Sequence, residues 1–186
     1  NSANVLEASM VTLAGLSLTG ANAGNYSLKL ADYSGTITPY VVSLTGTRTY
    51  DATRDVASGV LTIGTLVGSE GLTLTGIGTL TGTKDVGDDK AFDINTLTLG
   101  DGDNGGLATN YTLVGGNRTV DITRATISAV SGITATDKTY DANTDATLVT
   151  TSASFGGMFG GDDLSVAAAT GAFVDANAGT KGVNIT

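Results

Sequence analysis

Apolar residues recur along this chain at every second position in short bursts, and each burst is cut off by Gly, Asn or Asp. Val11, Leu13, Leu16, Leu18, Leu28 and Leu30 set the rhythm, and Gly20-Ala21-Asn22-Ala23-Gly24-Asn25 interrupts it with turn chemistry. A period of two puts alternate side chains on one face, so the bursts predict half-buried strands. Further strands are predicted near residues 41–44, 60–63, 72–75, 77–80, 92–99, 111–114 and 119–122. Only Ser2-Ala3-Asn4-Val5-Leu6-Glu7-Ala8 offers a helix start, with Asn4 as the cap and Glu7 three residues on. Pro39 ends the strand that precedes it, because proline cannot donate to a ladder. The predicted fold class is all-β: antiparallel modules, sandwich-like or β-grasp-like, in an elongated tandem.

The modules are tandem because the pattern repeats. Thr47-Arg48-Thr49-Tyr50-Asp51-Ala52 returns as Asp137-Lys138-Thr139-Tyr140-Asp141-Ala142, with the tyrosines 90 residues apart. Asn25-Tyr26-Ser27-Leu28 returns as Asn110-Tyr111-Thr112-Leu113, and Ile37-Thr38 as Ile122-Thr123, both at an offset of 85. Residues 1–39 then read as the C-terminal part of one repeat, 40–124 as a complete module and 125–186 as the N-terminal part of the next. Two permuted modules divided near residues 93–97 are the alternative, since domain termini are often adjacent.

Composition narrows the chemistry. Only 5% of residues are aromatic and none is Trp, so each core must be assembled from many small side chains. The charge is −9, and the 9 basic residues are scattered, which argues against nucleic acid as a partner. The absence of His and Cys removes the commonest general base, the thiolate nucleophile and the usual transition-metal ligands. No apolar run approaches the ~20 residues of a membrane span, so membrane insertion is not expected.

Tyr50-Asp51 and Tyr140-Asp141 are the repeat signature and the first candidate site. Their rings could stack on a sugar, but a Tyr anchoring a small core beside an Asp that closes an Asx-turn is the stronger interpretation. Ala52 and Ala142 follow, so this turn is not expected to depend on positive φ. Asp101, Asp103 and Asn104 lie in a Gly-rich loop that resembles the start of a calcium loop, yet position twelve, counted from Asp101, is Thr112 rather than Glu. Weak calcium ligation by that loop is the sole cofactor alternative to none. No carboxylate pair is singled out for acid–base work, and an enzyme is not expected.

In repeat phase several stretches fall in order: Lys138-Thr139-Tyr140-Asp141, Gly161-Asp162-Asp163-Leu164-Ser165, Asn177-Ala178-Gly179-Thr180-Lys181, Leu16 through Tyr26, and Ile37-Thr38-Pro39. On these residues the chain resembles the YDG-type repeats of large bacterial surface proteins, especially filamentous-haemagglutinin-like adhesins exported by two-partner secretion. The resemblance implies a secreted, cell-surface stalk or spacer with no catalytic residues. Its expected partners are neighbouring repeats of the same chain, with extracellular polysaccharide, host glycan or a sister adhesin as ligands in the alternative role of a binding module in biofilm adhesion.

Overall fold

A computed structural model describes residues 2–7, 11, 13–30 and 33–186. The chain divides into two compact units, one formed by Asn1–Arg48 with Arg54–Thr123 and the other by Thr49–Thr53 with Arg124–Thr186. Both are β-structures, and the first is punctuated by single turns of 3-10 helix at Ala23–Asn25, Ser58–Val60 and Ala108–Asn110.

In the first unit the strands are Tyr40–Val41 (β1), Leu44–Thr49 (β2), Asp55–Ala57 (β3), Leu61–Ile63 (β4), Leu72–Thr75 (β5), Ile77–Leu80 (β6), Gly87–Asp93 (β7), Thr98–Asp101 (β8), Tyr111–Thr112 (β9) and Arg118–Thr123 (β10). Six of them form one sheet in the order β3-β6-β7-β10-β2-β4. The last strand, β10, therefore sits inside the sheet, antiparallel to β7 with Thr119 opposite Ala91. Its other edge meets β2, where the Leu44 N–H donates to Asn117 O (2.9 Å) and the Thr123 hydroxyl to Arg48 O (3.4 Å). Those two contacts run in the same direction along both strands, so this pair is parallel. The pair β1 and β9 is parallel too, and the sheet is mixed where antiparallel pairing alone was expected. The antiparallel ladder β5-β8 completes the unit.

The core follows from alternation on these strands. Val42, Leu44, Val56, Leu80, Phe92, Leu97, Tyr111, Leu113, Val120 and Ile122 are buried, and seven of them expose less than 2% of their surface or about that. Val120 and Ile122 are the inward positions of β10. Gly78 packs where β6 crosses this core: a Cβ there would lie 2.8 Å from both the Asp93 carbonyl and the Phe92 ring. Only glycine fits that approach.

Three expectations change. The strand expected over 92–99 is two strands, because residues 94–97 turn with Asn95 at φ 44° and the Leu97 N–H bonded to Ile94 O at 2.6 Å. The helix start at residues 2–7 is a single hydrogen-bonded turn. There the Glu7 carboxylate accepts from the Ser2 hydroxyl (2.7 Å) and the Asn4 amide (3.1 Å), and the Glu7 N–H reaches Asn4 O (3.2 Å). One closed turn fixes several dihedrals for one hydrogen bond, so without following turns no helix propagates; Ala8 lies outside the described residues.

The alternation over Val11 to Leu30 yields no strand among the described residues, only a bridge from Val11 to Tyr33. Leu16, Leu18, Leu28 and Leu30 stay exposed. An apolar face is not enough to make a strand: a strand also needs a free edge, and in this unit β1, β2 and β7 are already paired with β9 and β10. The strand Asp55–Ala57 and the first half of β7 escaped the pattern because their acidic residues are exposed while a single apolar residue, Val56 or Phe92, carries the burial.

The second unit contains Ala129–Ser131 (β11), Thr134–Ala135 (β12), Asp145–Ala146 (β13), Leu148–Val149 (β14), Ser154–Gly156 (β15), Gly171–Phe173 (β16) and Val183–Ile185 (β17). They pair as β11-β15, β12-β14 and β13-β16-β17, all antiparallel. None of residues 124–186 is buried.

The core assignment predicts that Phe92→Ala lowers the stability of the first unit by about 3–5 kcal/mol, read as a reduced urea midpoint with unchanged slope.

Candidate functional site

The two Tyr-Asp steps make the same backbone device. Asp51 Oδ1 accepts from the Thr53 N–H (2.9 Å) and the Thr53 hydroxyl (2.8 Å). Asp141 Oδ1 accepts from the Asn143 N–H (3.1 Å), and its Oδ2 from the Asn143 side-chain amide (2.8 Å). Each is an Asx-turn. Between the Asp and the residue it bonds lies an alanine in the left-handed region, Ala52 at φ 62° and Ala142 at φ 64°. The expectation that this turn avoids positive φ is therefore wrong. The Asp side chain bonds to the residue beyond the alanine and holds it in a conformation that costs an L-residue ~1–2 kcal/mol.

The tyrosines are placed differently. Tyr140 is 64% exposed. Tyr50 is half-buried; its hydroxyl donates to the Asp162 carboxylate (2.8 and 2.9 Å), and its ring meets Phe159 edge-on at 5.8 Å, all within the second unit.

Tyr140 borders an open cleft of about 550 Å³ in the second unit, lined on one side by residues 134–138 and on the other by Phe173, Asp175, Lys181 and Val183. Its two lysines are engaged. Lys138 Nζ lies 2.9 Å from Asp141 Oδ1, donates to Asn143 O (2.9 Å) and Oδ1 (2.7 Å), and stands 5.7 Å from the centre of the Phe173 ring. Lys181 Nζ pairs with Asp175 Oδ2 at 2.9 Å. The Lys138 hydrogen bond holds the Asp141 carboxyl below the ordinary carboxylate range, and Lys181 does the same to Asp175. Sequence patterning did not find this cleft. Lys138 was legible in the repeated Tyr-Asp stretch and Lys181 in a stretch that carries the family resemblance, but Phe173 and Val183 carried no motif at all.

The Gly-rich loop uses its polar groups on itself and on the facing loop at residues 69–71. Asp101 Oδ1 accepts from the Ala108 N–H (2.8 Å), the Asp103 carbonyl accepts from the Gly71 N–H (2.8 Å), and the Asn104 amide donates to Ser69 O (2.8 Å). Among the described residues no three His, Cys, Asp or Glu side chains gather as a metal would require.

A further buried polar group is Tyr111, whose hydroxyl donates to Glu70 Oε2 (2.5 Å) and accepts from the Val67 N–H (3.1 Å). Burial, with the Glu70 carboxylate adding to it, pushes that hydroxyl above its usual pKa. Its repeat counterpart Tyr26 is 73% exposed, so the shared Asn-Tyr motif does not by itself dictate burial.

These features define an all-β repeat protein whose signature residues build turns. The family model for the YDG domain matches residues 33–121 and again residues 122–186, and the chain belongs to that family. No curated protein and no solved structure matches it.

Two outcomes follow from the turns. Ala52→Gly removes the left-handed penalty but adds unfolded-chain freedom, for a net stabilisation of about 0.5–1 kcal/mol in denaturant unfolding. The depressed carboxyls of Asp141 and Asp175 stabilise the folded turns above the unfolded carboxylate pKa, and that contribution is lost as pH falls through their lower folded values. Amide exchange at Asn143 and Asn177 should accelerate, relative to its intrinsic rate, as pH falls through that range, and Asp141→Asn should abolish the effect at Asn143 alone.

Proposed function

We propose that this chain is a pair of structural repeat modules from a secreted bacterial adhesin, serving as stalk or spacer at the cell surface, with export by two-partner secretion as in filamentous-haemagglutinin-like proteins. The observation that carries this reading is the use of the signature carboxylates. Asp51 and Asp141 spend their oxygens on the backbone and side chains of their own turns, which leaves them as architecture rather than ligand-binding groups. Repetition of a small all-β module supports the same role, since tandem arrays gain reach by adding units. The composition agrees, with neither His nor Cys to supply the usual catalytic groups.

A second reading, a carbohydrate- or self-binding module of the same adhesin, draws on the exposed Tyr140 ring beside the cleft in the second unit. An aromatic face next to hydrogen-bonding groups is what a sugar ring requires. A glycan and exopolysaccharide array separates the two. The spacer role predicts no saturable binding by the whole chain; binding that disappears in a folded Tyr140→Ala variant establishes the second reading in its place.

A further inference from the structure

The tip of the Gly-rich loop is a two-residue turn. Asn104 and Gly105 have φ of 56° and 82°, and the Gly106 N–H donates to Asp103 O at 3.2 Å. Positive φ at both central positions is the mark of a type I′ turn, for which Asn-Gly is a favoured pair. The same pair carries chemistry that the turn does not need. Asn104 is the only asparagine in the sequence that glycine follows, so no side chain shields the next backbone nitrogen from the asparagine amide.

The structure leaves that nitrogen accessible. Asn104 and Gly105 are both exposed, and a Cβ on Gly105 would meet nothing within 4 Å. The Gly105 N–H has no hydrogen-bond partner among the described residues. Asn110 differs in each respect: its side chain bonds to Asn4 (3.0 Å) and to the Val5 N–H (2.8 Å), and the residue that follows it is the buried Tyr111.

We propose that Asn104 is a site of spontaneous, backbone-assisted deamidation. The Gly105 nitrogen gives up its proton and attacks Asn104 Cγ, the Cγ–Nδ2 bond breaks and ammonia leaves, and water opens the five-membered imide to an aspartyl or iso-aspartyl residue. Water is the only co-reactant.

The modification acts on the fold through its leaving group. Asn104 Nδ2 is the atom that donates to Ser69 O (2.8 Å) and ties the loop to its neighbour. A carboxylate cannot donate, so the reaction removes this bond and sets a charged oxygen against a carbonyl. The iso-aspartyl product also lengthens the backbone by one methylene. There is no slack to take it up, because the two loops pack backbone on backbone: Cβ atoms on Gly102 and Gly106 would lie 2.5 Å and 1.9 Å from Gly71 O. The bond from the Gly71 N–H to Asp103 O (2.8 Å) and the adjoining Leu72–Asp101 pair of the β5-β8 ladder take the strain next. Deamidation thus releases the Gly-rich loop from residues 69–71 and adds one negative charge to a chain already at −9.

The proposal does not depend on the adhesin reading, since it is read by mass and not by binding. The whole folded chain, incubated at about pH 6 and about pH 9 and then digested for mass spectrometry, should gain the amide-to-acid mass difference at Asn104 before any other asparagine, and several-fold faster at the higher pH because the attacking nitrogen must lose its proton. Asn104→Gln should stop the reaction at this position, because its longer side chain would have to close a six-membered ring. Asn104→Asp, the product made directly, should speed amide exchange at Gly71 several-fold. Retention of the Asn104 amide in the folded chain overturns the proposal, as does an earlier reaction at another asparagine. Unchanged Gly71 exchange in Asn104→Asp overturns the release of the loop.

Discussion

The first unit depends on its last strand lying in the middle of its sheet. β10 bonds to β7 on one edge and to β2 on the other, so the strand that ends the module joins the strand that opens it. Neither flank can be satisfied locally: the chain must travel from residue 49 to residue 118 before β2 obtains its inner neighbour. With that closure Val120 and Ile122 of β10 are buried, as are Leu44, Leu80 and Phe92 of the same sheet. Non-local pairing of this kind carries loop-closure entropy that short-range contacts cannot offset.

The two units differ in burial. The second unit has the Asx-turn and the left-handed alanine of the first and pairs its strands antiparallel, yet none of its residues is buried. Local devices set the path of the chain, while in the first unit β10 joins β7 to β2 in one sheet whose inward residues are buried. Arg118 adds to the seal in the first unit, its guanidinium donating to the carbonyls of Phe92 (3.2 Å), Leu113 (3.0 Å) and Gly116 (3.2 Å). The guanidinium thus satisfies carbonyls that the strand ladder leaves over.

For function, the weight falls on what the polar groups are already doing. Asp101, Asp51 and Asp141 each complete a local hydrogen-bond network within their own loop, and Asn104 ties its loop to Ser69. Carboxylates so engaged hold geometry. The open cleft of the second unit is lined by lysines that are already paired, Lys138 with Asp141 and Lys181 with Asp175.

Much of this was legible from residues alone. The all-β class followed from period-two alternation and turn residues, and β5 and β6 fall where the pattern put them, because their register and their flanking glycines are local properties. The repeat itself, and with it membership of the YDG family, was written in Tyr50-Asp51 and Tyr140-Asp141. The left-handed alanines were not legible, since alanine has no preference for that region and only the Asx hydrogen bond puts it there. Nor was the exposure of Leu16 to Leu30, because alternation specifies a face but not a partner. The sequence determined what each segment could become. The tertiary structure decided which segments found an edge to pair with, because a strand is completed by a neighbour that its own residues do not encode.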